Sequence, residues 1–99
     1  MDDYEQSRAA FAVVAQRWTE ELEALTPPDL HQLSDAQLDE LRLKFQAAFD
    51  EMLTFLDQGE HFGEEGQMEL LVDVTDQLEN LRTAGHACAQ LLEKRQRAG

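Results

Sequence analysis

From Gly66 to Arg97 the chain runs thirty-two residues without a proline, and its apolar positions recur at alternating steps of three and four. Leu71, Val74, Leu78, Leu81, Gly85, Cys88 and Leu92 make up this seam, the spacing that lines one side of an α-helix. The pattern predicts one long helix over 64–97, in which the thirty-two residues of this stretch run roughly 48 Å at about 1.5 Å per residue. Upstream, Tyr4, Phe11, Trp18 and Leu25 recur every seven residues and are joined by Val14, Ala15 and Leu22, which predicts a first helix over 3–25. Asp2 and Asp3 are placed to cap it, with Glu5 and Gln6 three residues on, as in a capping box.

Thr26-Pro27-Pro28-Asp29 ends the first helix, because a residue before proline leaves the α region and Pro28 has no backbone N–H to donate. Asp29 to Leu33 has room for a single turn. Ser34 then reads as an N-cap, with Gln37 three residues later and Leu33 and Leu38 spaced as a hydrophobic staple. The second helix is predicted over 35–58. Its buried face is Leu38, Leu41, Phe45, Phe49, Met52 and Leu56, widened by Leu53 and Phe55. Gly59 is the expected left-handed C-cap, and Gly59 to Glu65 the expected turn between two antiparallel helices, with Phe62 folded back over the end of the core. These elements define an all-α fold: a single domain, residues 1–99, built as a three-helix up-down-up bundle with a long C-terminal helix.

Composition agrees with that class. Isoleucine is absent and there are four valines, so the β-branched residues that strands favour are scarce. The one cysteine, Cys88, has no intrachain partner and lies on the long seam, where a free thiol packs as a small hydrophobe. The first residues are acidic and no apolar run is long enough for a signal peptide or a membrane span, so a cytoplasmic protein is expected.

No motif names a chemistry. His61 lies among Glu60, Glu64 and Glu65, yet the Glu-x-x-His spacing of helical di-iron sites is missing. The glycines of 59–66 are surrounded by carboxylates, which disfavours a phosphate cradle. His86 sits among small residues on a helix, as in phosphotransfer domains, but those place a lysine and then a glycine where Ala89 and Gln90 stand here. His86 and Cys88, two apart, diverge on a helix and make no nucleophile and base pair. The Trp18 stripe lacks the cationic neighbours that base stacking needs. An enzyme is not expected, and no cofactor or metal is implied.

Charge is the most specific signal. The formal net charge is -13, and between Lys44 and Arg82 there is no lysine or arginine, while ten acidic residues fall in that window. One end of the bundle should be strongly negative. Such a surface repels nucleic acid and anionic membranes and attracts a cationic protein. The expected function is a non-enzymatic protein-binding module, a small inhibitor, adaptor or chaperone that docks a basic surface, in its sharpest form as a nucleic-acid mimic. Candidate contacts are Glu60, Glu64, Glu65, Glu69, Asp73 and Asp76, with Leu43, Met68 and Val72 as apolar residues off the core arcs. The competing expectation is structural. The long helix outruns its neighbours by about two turns and is apolar on most sides near Met68 to Val74, which favours a homodimer. The acids that a symmetric contact would bring together oppose it.

Overall fold

The computed structural model describes residues 3–98, and among these it is an all-α bundle with a long C-terminal helix and no strand. Four α-helices make three arms: α1 (Asp3–Leu25), the pair α2 (Asp35–Leu53) and α3 (Leu56–Glu64), and α4 (Glu69–Ala98). A single 3-10 turn, Leu30–Gln32, follows the prolines. Asp2, a proposed cap of the first helix, lies outside the described residues; Asp3 is the first residue of α1.

The arms alternate in direction. Asp35 meets Arg95, Phe45 meets Gly85, Gly59 meets Leu71 and Gly63 meets Met68, so α2 and α3 together run antiparallel to α4 in one unbroken register. Likewise Tyr4 meets Phe62, Phe11 meets Phe55, Trp18 meets Glu51 and Glu21 meets Lys44, which sets α1 antiparallel to the same arm. Side-chain size sets the spacing. Small residues, Ala48, Gly59, Gly85 and Cys88, lie at the seam with α4, and α4 packs most closely on α2 and then α3. α1 stands further off and reaches across with aromatics and arginines, as helix separation follows the bulk at the contact.

The second arm differs from the expectation of one helix over 35–58. α2 ends at Leu53 because the next bonds tighten: Thr54 N–H donates to the Glu51 carbonyl and Phe55 N–H to that of Met52, while the Thr54 hydroxyl donates to the Glu51 carbonyl at 2.7 Å. Both Thr54 and Phe55 stay in the right-handed helical region, so the chain bends without reversing and α3 resumes the helix. Gly59 is therefore neither a left-handed cap nor part of a turn. It is buried inside α3, and a Cβ there would lie 2.9 Å from the Leu71 Cα. The glycine provides room for α3 to meet α4.

The reversal occurs at Gly66, whose φ is 87°. Gln67 N–H donates to the Phe62 carbonyl at 2.8 Å and Gly66 N–H to that of Gly63 at 3.0 Å, the paired bonds of a Schellman C-cap. The long helix consequently begins at Glu69, not at residue 64. The supposed excess of two uncovered turns disappears as well: α2 and α3 together run the length of the 30 residues of α4, about 45 Å, and bury Leu70 and Val74 completely.

Local signals elsewhere fold as read. Ser34 Oγ accepts from Gln37 N–H at 3.2 Å while Gln37 Oε1 accepts from Ser34 N–H at 2.9 Å, a complete capping box. Phe62 covers the end of the core, edge-on to Tyr4 with centroids 5.1 Å apart. Leu25, the last residue of the first helix's apolar stripe, and Leu53, expected on the buried face of the second helix, are exposed instead. The molecule measures 55 × 22 × 18 Å, about two helix widths across, so every arm keeps one face on the outside.

Candidate functional site

The acidic end is assembled from α3, the Gly66 turn and the first half of α4, with the start of α1 alongside. Glu60, Glu64, Glu65, Glu69, Asp73 and Asp76 are all exposed there. They are not equivalent. Glu69 accepts from Arg8 at 2.7 Å, and Glu65 lies 3.3 Å from the imidazole of His61. Arg17, the next cation along α1, is held by both oxygens of Glu51 at 2.6 Å. Among the described residues no cation meets Glu60, Glu64, Asp73 or Asp76. Met68 and Val72 belong to the same end and are 49% and 51% exposed. Leu43 is also exposed but belongs elsewhere: it sits beside the Phe45–Gly85 level, about 30 Å along the axis from the Gly63–Met68 level. Val13 is exposed too, at the Phe11–Phe55 end of the α1 interface, whereas Leu43 is at the Glu21–Lys44 end, so the two do not form one patch.

The Glu51 cluster was not visible in the sequence. Trp18 Nε1 donates to Glu51 Oε2 at 2.6 Å, and the Arg17 guanidinium lies over the indole, 5.6 Å from its centroid. The Trp18 hydrogen bond first, and Arg17 second, hold the Glu51 carboxyl below the usual glutamate range. A group with a depressed folded pKa stabilises the fold above its unfolded pKa, and that contribution is lost as pH falls through the folded value. Glu51→Gln should therefore flatten the acid side of the melting-temperature profile relative to wild type. At neutral pH its cost should stay below about 1 kcal/mol, since the pair is partly solvated. Thermal melts from neutral to acid pH check this; parallel profiles would remove the role given to Glu51.

The role of Arg95 was likewise not visible in the sequence. Its guanidinium donates to the carbonyls of Leu33 and His31 at 2.7 and 3.0 Å and to Asp35 at 3.0 Å, pinning the segment before α2 onto the end of α4. Cys88 is fully buried and burial pushes its thiol up, while His86 is exposed, so the two share no reaction space. Among the described residues no three histidine, cysteine or acidic side chains are grouped closely enough to hold a metal ion, and no helix is long and apolar enough to cross a membrane.

Two shallow grooves mark the surface. One, about 370 Å³, lies between α2 and α4 with Phe45, Phe49, Leu81, Gly85 and Ala89 around it and Arg42, Gln46, Arg82 and His86 at its edges. The other, about 550 Å³, lies between the 3-10 turn and the end of α4, next to Leu30, His31, Leu91, Lys94 and Arg97. The α3 end thus carries carboxylates without cations, while Lys94, Arg95 and Arg97 gather at the opposite end of α4. Compared with known protein families, curated proteins and solved structures, the chain matches none.

Proposed function

We propose that the protein is a non-enzymatic binding module whose α3 end docks a basic surface of a partner protein. The observation that carries this reading is the set of exposed carboxylates that the fold leaves without cations. Arg8 and Arg17, the arginines nearest that end, are already held by Glu69 and Glu51. Glu60, Glu64, Asp73 and Asp76 therefore project an unneutralised field from a rigid helical frame, which speeds encounter with a cationic surface and sets orientation. The same field disfavours direct contact with nucleic acid or an anionic membrane. Its narrowest form is mimicry, in which the carboxylates occupy the surface that a partner uses for DNA or RNA.

The test is capture of cellular proteins on the immobilised chain, compared with a variant carrying Asp57, Glu60, Glu64 and Asp73 all changed to lysine. Among the described residues none of these four makes an ion pair, so helicity and melting temperature should change little. The wild type should retain basic proteins at low salt and release them as ionic strength approaches about 1 M, where the screening length is about 3 Å. The variant should retain none of them. Retention indifferent to both salt and reversal would exclude docking through this end. For mimicry, added duplex should displace the chain from its partner.

A further inference from the structure

On the outer side of α4, Met68, Val72, Thr75, Glu79, Arg82 and His86 follow one another at steps of four and three, and all six are exposed. This is a second stripe, separate from the buried seam, and its spacing is that of a helix-pairing surface. It changes character along its length. At the α3 end it is apolar and flanked by carboxylates; at the other it carries Arg82 and His86 and borders the groove where Gly85 and Ala89 leave a shallow apolar trough. Leu53, 43% exposed, continues the line of Arg42, Gln46 and Phe49 on the α2 side of the same face.

The ion pairs sharpen this. Acidic residues outnumber lysine and arginine by 21 to 8, yet among the described residues Arg82, like Lys94 near the end of α4, pairs with no carboxylate. Arg8, Arg17, Arg42, Lys44, Arg95 and Arg97 each hold one. Glu79, three residues before Arg82 on the stripe, also pairs with no cation among the described residues.

We infer that this face is the contact surface for a second copy of the chain, joined about a two-fold axis with the two α4 helices antiparallel. With the axis midway between Glu79 and Arg82, Glu79 of each copy stands opposite Arg82 of the other, giving two equivalent ion pairs. In that register Thr75 stands opposite His86, and Val72 stands opposite Ala89, at the edge of the trough. An isologous contact requires one patch to be complementary to itself after rotation, and a stripe acidic and apolar at one end, basic and grooved at the other, meets that condition only antiparallel. The arrangement also keeps the two acidic ends at opposite extremes of the dimer, which removes the like-charge repulsion that a parallel contact would create. It leaves Glu60, Glu64 and Asp73 off the stripe, so the α4 carboxylate reversed in the partner test lies outside the self-association surface.

The experiment is the solution mass of the full chain by sedimentation equilibrium, at moderate salt and across a hundredfold dilution at micromolar concentrations, with folding followed by circular dichroism. The wild type should be a dimer that dissociates on dilution. Glu79→Arg and Arg82→Glu should each raise the dissociation constant roughly tenfold or more, since each turns two attractive pairs into repulsive ones. The double variant, with both charges exchanged, should return to within roughly threefold of wild type because the pairs are restored in reverse. A wild type that stays monomeric throughout, or a dimer in which either single reversal is silent, or a double variant weaker than both singles, overturns the proposal. The lysine variant of the acidic end should dimerise as wild type does, so a failed partner test leaves this one standing.

Discussion

Changing Gly59 to leucine is expected to cost more than about 3 kcal/mol and to separate α3 from α4, and even Gly59→Ala should destabilise the protein. In an open helix the alanine change would be favourable by about 1 kcal/mol, because glycine is a poor helix former. Here the new Cβ would lie 2.9 Å from the Leu71 Cα and 3.2 Å from its nitrogen. Backbone cannot swing aside as a side chain does, so the two helices must move apart or the core beneath them must shift. Overpacking of this kind costs about 1–3 kcal/mol per intruding group, which exceeds the propensity gain. A net loss of about 1 kcal/mol would appear as a drop of about 4–8 °C in melting temperature for a chain of this size. Gly63→Ala makes the control. Its nearest neighbour is the Met68 sulfur at 3.1 Å, the mobile end of a flexible side chain, so that change should be neutral or stabilising by up to about 1 kcal/mol. If Gly59→Ala melted at or above the wild-type temperature, the close α3–α4 contact would have to be abandoned.

These two glycines also show where the sequence stops being legible. A glycine is used either for positive φ or for room, and both uses leave the same letter in the chain. Gly66 is the first kind, with φ at 87°; Gly59 is the second, and it was read as the first. That one ambiguity removed α3 from the expected fold and created the apparent excess length of the last helix. Features carried by residues three or four apart were legible: the Ser34–Gln37 capping box and the burial of Val74, Leu78, Leu81 and Cys88 along one seam. Contacts between residues far apart were not. Arg95 reaches His31, and Arg17 and Trp18 reach Glu51, through pairings that follow from the packed arrangement of the arms and from no local spacing. The acidic end was legible as a stretch lacking cations. Which of its carboxylates stay free depended on where α1 would deliver Arg8 and Arg17, and periodicity does not specify that.

The start of α4 provides the largest contrast between neighbouring positions. Leu70 and Val72 are two apart, nearly on opposite sides of the helix; Leu70 is fully buried and Val72 half exposed. Leu70→Ala should cost about 2–5 kcal/mol, the transfer energy of the lost atoms plus that of the cavity, because α3 closes over this turn and the site collapses poorly. Val72→Ala should cost less than about 0.5 kcal/mol to the fold, as surface substitutions usually do. A domain of this size has only about 5–15 kcal/mol of stability in total, so the leucine change alone should remove a large share of it. Denaturant titration of the two variants, at concentrations low enough to avoid self-association, measures the difference directly. Similar losses at the two positions, or a mild loss at Leu70, would mean that the first turns of α4 are not covered by α3. The long helix would then once more outrun its own neighbours, and the apolar residues around Met68 and Val72 would need a cover from outside the chain simply for it to fold.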